Sequence, residues 1–315
     1  MNKRPFGLAV AQLGPIARDE SRESAVARLL AMMREAASRG ARLVVFPELA
    51  LTTFFPRYWM SEEEAVERYF EKSMPGPQTQ VLFDAARDLG IGFHLGFAEL
   101  TPDGRRFNTA ILVDTTGRIV GRYRKIHLPG HSDHKPQAPF QHLEKKYFEV
   151  GNEGFNVWET MQARIGMCIC NDRRWPETWR VLALQGADLV VLGYNTPSVN
   201  IHWPEPAHLR MFHHLVTLQA SAYQSATWIA AAAKAGLEDG SHLIGGSVIV
   251  APSGEIVAQA QGEGDEVLFC QADLALGDTF KQHVFNYAAH RRPEHYRLIV
   301  DRVGAGEPLG RPPQD

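Results

Sequence analysis

The sequence predicts a mixed α/β sandwich built as a single domain. Three observations lead there. Apolar strand-like runs alternate with helical stretches from one end of the chain to the other, and turn dipeptides such as Asp103-Gly104 and Thr116-Gly117 insert antiparallel hairpins among them. No internal repeat, low-complexity segment or linker divides the pattern. A Rossmann fold is excluded, because no Gly-x-Gly-x-x-Gly follows the first strand and no P-loop occurs. With 315 residues, 44 % of them hydrophobic, the chain can bury a sizeable core.

Each element rests on a local signal. Residues 6–13 form an apolar run interrupted by Gln12, too short for a signal-peptide core and without a clean small-residue cleavage site, so a first strand is expected. Residues 21–38 carry Ala25, Leu29, Leu30, Met33 and Ala36 at helical spacing and stop at Gly40. A second strand over 41–46 ends at Pro47-Glu48. Helices are expected over 62–70 and 78–89, the latter stopped by Gly90, and strands over 91–100, 107–114 and 118–124. The irregular stretch 126–148 contains His127, His131, His134 and His142 and is broken by Pro129-Gly130; a loop of this length inside a compact domain points to function. There follow strands over 155–158 and 163–170, a helix over 176–184 and a strand over 188–192. A loop over 193–206 leads to a helix ending near Gln224, and strands over 227–233, 246–251, 255–260 and 266–272 close the pattern. The expected domain spans 1–303, with a Gly- and Pro-rich tail over 304–315.

Charge and cysteine content narrow the function. The formal net charge is −3 and no basic stripe carries interleaved aromatics, so nucleic acid is not an expected partner. No apolar run reaches the ~18 residues of a membrane span. Three cysteines, Cys168, Cys170 and Cys270, are too few and too oddly placed for a disulfide framework. Cys168 and Cys170 point the same way on a strand, where a bond between them would be strained. A cytoplasmic protein follows.

Three strand ends carry chemistry. Cys170 closes the run Arg164-Ile165-Gly166-Met167-Cys168-Ile169 and is followed by Asn171-Asp172-Arg173-Arg174-Trp175-Pro176. Such a cysteine is either a small buried hydrophobe or a thiol in a cationic turn that favours its thiolate and holds small anions. Glu48, after Val44-Val45-Phe46-Pro47, is either a turn or capping residue, or a general base held against an apolar wall of Phe46, Phe54 and Phe55. Lys125, before Ile126-His127-Leu128-Pro129, is either a solvated edge lysine or a fixed cation for an oxyanion. A carboxylate, an ammonium and a thiol at strand ends are the parts of an acyl-transfer site.

Together these segments resemble the nitrilase superfamily of carbon–nitrogen hydrolases, whose Glu-Lys-Cys triad they match in order and spacing. They are closest to the branch of N-carbamoyl-D-amino-acid amidohydrolases. The motifs that carry the likeness are Phe46-Pro47-Glu48-Leu49-Ala50-Leu51-Thr52-Thr53-Phe54-Phe55-Pro56, Tyr123-Arg124-Lys125-Ile126-His127-Leu128-Pro129-Gly130-His131, Cys170-Asn171-Asp172-Arg173-Arg174-Trp175-Pro176, Gln141-His142-Leu143-Glu144-Lys145 and Gly193-Tyr194-Asn195-Thr196-Pro197. The resemblance implies a four-layer α-β-β-α sandwich, paired through helices into a dimer and often a tetramer. It implies Cys170 as nucleophile, Glu48 as base, Lys125 with the backbone N–H after Cys170 as oxyanion holder, and Glu144 as a further glutamate orienting the lysine. Arg173 and Arg174 would grip a substrate carboxylate, and His127, His142, Asn171, Asn195 and Thr196 would line the pocket. The substrate would bear a carboxylate and a ureido group, and no cofactor is required. The sequence departs from the branch at 132–138 and 199–206, both near the expected pocket mouth.

Other readings explain less. A papain-like Cys–His pair leaves the Glu48 and Lys125 segments unexplained. A metal site from His127, His131 and His134 or from His213-His214 lacks any His-Glu-x-x-His, and Pro129-Gly130 breaks the helix a ligand pair would need, so no metal is expected. A non-catalytic binding module would erode the triad, and none of its positions is eroded. Within the superfamily, a β-ureidopropionase-like enzyme, an amidase or a nitrilase are the alternatives; nitriles and simple amides offer no carboxylate to Arg173-Arg174.

Overall fold

The computed structural model describes residues 3–138, 140–200 and 205–306. The first half runs β1 (Pro5–Gln12), α1 (Arg22–Ser38), β2 (Leu43–Val45), a short α2 (Glu63–Glu67), β3 (Phe70–Glu71) and α3 (Gln80–Leu89) into the meander β4 (Gly92–Leu100), β5 (Arg106–Val113) and β6 (Ile119–Arg124). The second half continues with α4 (Glu144–Tyr147), β7 (Val157–Thr160), β8 (Ala163–Ile169), α5 (Pro176–Leu184), β9 (Leu189–Tyr194), α6 (Leu209–Ser225) and β10 (Trp228–Ala233). A hairpin of β11 (Ala235–Glu238) and β12 (Ser241–Ile244) leads to β13 (Val248–Val250), β14 (Ile256–Gln259) and β15 (Glu266–Asp273). Then come α7 (Ala275–Gln282) and the single-turn helices α8 (Tyr287–His290) and α9 (Leu298–Asp301).

Two sheets face one another. The first has the order β15-β1-β2-β4-β5-β6, with β3 added alongside β4, and the second the order β14-β13-β10-β9-β8-β7. In the first, β1 runs parallel to β2 and antiparallel to β15, so Ala9 lies between Val44 and Phe269. The two-residue period then sorts the side chains. Leu8, Val10, Leu43 and Val45 face the second sheet, whereas Ala9, Ala11 and Val44 pack with Leu29, Met33, Leu82 and Phe83 of α1 and α3. The outer face of the second sheet is covered by Trp179 and Leu182 of α5 and Leu218 and Ala222 of α6. Strands buried on both faces read as unbroken apolar runs, which explains Leu189-Val190-Val191-Leu192. The result is the expected four-layer α-β-β-α sandwich.

Local expectations fail in instructive places. The helix expected over 62–70 stops at Glu67, because Phe70 and Glu71 pair with Ala98 and Glu99. The strand expected to end at Leu192 runs on through Gly193 and Tyr194, which pair with Ala232 and Ala233. The β11–β12 hairpin was not expected, although its turn, Asp239-Gly240 with φ of 48° and 81°, carries the Asp-Gly signature of such hairpins. Of the expected tail, residues beyond 306 lie outside the described residues, as do 201–204 of the expected pocket-mouth loop. Among the described residues, no helix is long and apolar enough to cross a membrane, and no group of three or more His, Cys, Asp or Glu could hold a metal ion.

Candidate active site

Glu48, Lys125, Cys170 and Asn195 each follow the carboxyl end of a strand, β2, β6, β8 and β9 respectively. The backbone at Pro47-Glu48 is wedged between β4 and β9, and two glycines make the room. A Cβ on Gly193 would sit 2.2 Å from Glu48 N, and one on Gly96 2.7 Å from Glu48 Cα. The Glu48 carboxylate is fully buried. Its Oε1 accepts from Lys125 Nζ at 2.7 Å and Asn108 Nδ2 at 2.8 Å, and its Oε2 from the backbone N–H of Asn195 at 3.0 Å. A surface turn is thereby excluded, and so is the expected apolar wall. Phe46 packs beneath α1 and α3, and Phe54 and Phe55 join an aromatic cluster with Tyr69, Phe70 and Phe148, while charge-assisted donors surround the carboxylate.

Lys125 is equally buried and also donates to Glu144 Oε2 at 2.5 Å. Burial works against its ammonium, but the charges of Cys170, Glu144 and Glu48 outweigh it and hold the pKa above the ordinary lysine value. The same pairing, with help from His142, keeps Glu144 below the ordinary carboxyl value despite burial. His142 Nε2 lies 3.1 Å from Glu144 Oε1, and Asn200 Nδ2 donates to its Nδ1 at 3.1 Å, which assigns the ring proton to Nε2.

Cys170 opens a short 3-10 turn (Cys170–Arg174) with φ of +47°, a left-handed conformation that side chains adopt only when the surroundings impose it. Asp172 imposes it. This fully buried carboxylate accepts from Ile169 N at 3.0 Å, Tyr123 Oη at 2.7 Å, and both the backbone N–H and the ring Nδ1 of His127, at 2.9 and 2.8 Å. Cys170 Sγ lies 3.9 Å from Asn195 O and 3.8 Å from Arg173 Nη1. Burial first, and then the Glu48 charge, push the thiol up to about 11, against the opposing pull of Lys125 and Arg173. The arginine turn therefore does not leave a resting thiolate, contrary to expectation; the sulfur holds its proton near neutral pH. Cys168 is wholly buried, and burial raises its thiol well above the ordinary value.

The two arginines behave differently. Arg173 is 1 % exposed and spends its donors inside the protein. It donates to Cys170 O at 2.7 Å, Thr196 Oγ1 at 3.0 Å and His214 Nδ1 at 3.2 Å, and its guanidinium lies 4.6 Å from the Tyr194 ring centroid. Arg174 makes no ion pair among the described residues; burial and then Arg173 lower its pKa to about 10, so it stays cationic at neutral pH. A cavity of about 30 Å³ opens at Cys170, and His142, Asn171, Arg173, Arg174, Asn195 and Thr196 of the expected set line it. His127 is not in that lining. Its ring stacks on Trp175 at 4.9 Å, and it braces the turn through Asp172 and by accepting from Asn171 Nδ2 at 3.0 Å.

Residues that sequence reasoning passed over complete the arrangement. Asn108 is a lone amide in a buried strand, a signal that was available. A second buried charge cluster clamps the loop after Glu48. Glu238 accepts from Phe54 N at 2.8 Å, Ile16 N at 3.0 Å, Arg57 Nη2 at 2.7 Å and Lys234 Nζ at 3.0 Å, with all three charged side chains buried.

A four-layer sandwich that gathers a thiol, a carboxylate and an ammonium in one buried site defines a class, the hydrolases of carbon–nitrogen bonds. The chain belongs to the carbon–nitrogen hydrolase family, which it matches over residues 7–282. It is 32 % identical over 265 residues to a nitrilase of Pyrococcus abyssi (strain GE5 / Orsay), covering 84 % of this chain and 89 % of that one. It is 29 % identical over 285 residues to N-carbamoylputrescine amidase of Solanum lycopersicum, covering 87 % and 89 %. The crystal structure of a carbon–nitrogen hydrolase from Helicobacter pylori G27 shares the fold, with a TM-score of 0.81 over 95 % of this chain and 99 % of that one at 21 % identity.

Proposed function

We propose that the protein hydrolyses N-carbamoyl-D-amino acids to the free D-amino acid, carbon dioxide and ammonia. The observation that carries this reading is Arg174, a guanidinium without a carboxylate partner among the described residues, lining the cavity that also exposes Cys170. Such a group suits a substrate with a carboxylate of its own. The name of the tomato relative supports ureido chemistry, while its putrescine moiety, an amine, is a poor match for a cavity lined by arginines. The D configuration is supported by the motif resemblance alone.

In this reading a protonated thiol needs a base, and Glu48 takes its proton as sulfur attacks the ureido carbon. The developing oxyanion is met by the Lys125 ammonium and the backbone N–H of Asn171. Glu144 keeps Lys125 charged and in place. The carbon–nitrogen bond breaks, Glu48 returns its proton to the departing nitrogen, and ammonia leaves with the carbamoyl carbon bound to Cys170. Glu48 then deprotonates a water that attacks the same carbon and restores the thiol. The released N-carboxy amino acid loses carbon dioxide.

We further infer self-association through the outer helices, because α5 and α6 expose Val181, Leu184, Phe212, Val216 and Tyr223. A β-ureidopropionase-like activity is the second reading, favoured by the same guanidinium. A panel of N-carbamoyl-D-, N-carbamoyl-L- and N-carbamoyl-β-amino acids with a nitrile and a simple amide separates these readings. Preference for the D series is expected; preference for the L series, the nitrile or the amide would overturn the assignment. Cys170→Ala should abolish ammonia release and leave the circular dichroism spectrum unchanged.

A further inference from the structure

Arg173 and Arg174 are adjacent in sequence, yet their donors are not equally available. Arg173 holds the Cys170 carbonyl, the Thr196 hydroxyl and the His214 ring at once, so turning it toward a ligand would dismantle the nucleophile turn. A third guanidinium faces the same cavity. Arg210 stands in the first turn of α6, and its side chain is 3 % exposed. Glu205 Oε2 lies 3.0 Å from its Nε as an ion pair without hydrogen-bond geometry, while Glu205 Oε1 is taken by His213 Nδ1. Arg210 Nε and Nη2 are buried, and neither has a hydrogen-bond partner among the described residues. A buried guanidinium donor without an acceptor is costly and rare in proteins, and one aimed at a binding cavity marks the place of an absent acceptor.

We propose that the substrate carboxylate is held between Arg174 and Arg210, and that Arg173 is a positioning residue for the Cys170 turn. This deepens the reading above and rests on it. Because Glu205 already offsets the charge of Arg210, that residue contributes an unspent donor, and Arg174 contributes the unpaired charge.

The test is binding to the Cys170→Ala protein, followed by calorimetry, with N-carbamoyl-D-alanine and its carboxamide as paired ligands. Arg210→Gln should weaken the carboxylate ligand tenfold or more and leave the carboxamide unchanged, and Arg210→Lys, which keeps the charge but not the fork, should lose less. In the active protein, Arg210→Gln should raise KM far more than it lowers kcat, whereas Arg173→Gln should lower kcat. Equal binding of the carboxylate by the Arg210→Gln and parent proteins, with the parent still preferring carboxylate over carboxamide, overturns the Arg210 anchor alone. A parent protein with no preference for the carboxylate overturns the carboxylated-substrate reading and the anchor together. Should Arg210→Gln fail to fold, Arg210→Lys with undiminished carboxylate affinity and KM overturns the anchor by itself.

Discussion

Glu48→Gln should make Cys170 more reactive while making the enzyme less active. Next to burial, the Glu48 charge is what most raises the Cys170 thiol, to about 11. At pH 7.5 that leaves roughly three thiolates in 10⁴. Lys125 already offsets part of the Glu48 charge at 2.7 Å, so removing the carboxylate should return on the order of one pKa unit, about 1.4 kcal/mol, and raise the thiolate fraction about tenfold. Alkylation of Cys170 by iodoacetamide, followed by peptide mass spectrometry at pH 7.5, should accelerate accordingly. Ammonia release should fall by about 10²–10⁴, the usual cost of a lost proton-transfer group. Lys125→Met removes a charge that favours the thiolate, so it should slow alkylation and turnover together. The sign with pH is fixed: the parent's alkylation should climb tenfold per unit up to about 11, and that of Glu48→Gln should level off earlier. Cys168 serves as the internal control and should stay unmodified. An unchanged or slower alkylation of well-folded Glu48→Gln would refute this account of the thiol.

Two further substitutions probe the supports of the site. Glu238→Gln strands Arg57 and Lys234 in the interior without a counter-charge, and should cost roughly 3–5 kcal/mol in a thermal or denaturant melt. Burial opposes the Glu238 charge, but Lys234 and Arg57 hold its pKa below the ordinary 4.5. Its stabilisation is therefore complete above about that pH and is lost as pH falls through the lower native value, so Glu238→Gln should flatten the acid limb of the stability profile. Gly193→Ala drives a methyl group into the Glu48 backbone, where no side chain can yield. It should lower kcat by at least ~10² with a modest loss of stability, ~1–3 kcal/mol, read from paired kinetics and melts.

Much of this was legible because apolar strands end abruptly at functional groups. Glu48 and Cys170 stand where buried apolar strands end, whereas Lys125 follows Arg122 and Arg124 and is marked out by the Ile126-His127-Leu128-Pro129 loop that it precedes. The sandwich was legible for the same reason, since strands buried on both faces cannot hide in a sequence. What stayed illegible was who consumes each donor. Arg173 looks as available as Arg174 until Thr196 and His214 arrive from distant parts of the chain to take its N–H groups. Arg210 looks like any polar residue at the start of a helix until Glu205 pairs with it. Glu238 was passed over together with its hairpin, because nothing local shows that Ile16, Phe54 and Arg57 will converge on it. The helix over-extended past Glu67 fails likewise: Phe70 fits a helical pattern, and only its pairing with Ala98 draws it into a sheet.

The place of β1, between β2 and β15, sets an order of events during synthesis. Arg4 N donates to Asp273 Oδ1, a partner 269 residues along the chain. On a ribosome adding about 5–20 residues per second, the first strand waits roughly 15–50 s for the neighbour that closes its sheet. Cys170 emerges well before that, while Glu238 and Lys234, which clamp the loop after Glu48, have yet to be made. The thiol thus spends its first seconds without the finished surroundings that hold its proton. A nascent chain of this protein should be most open to oxidants and to neighbouring chains in that interval, and safest once its last strand is in place.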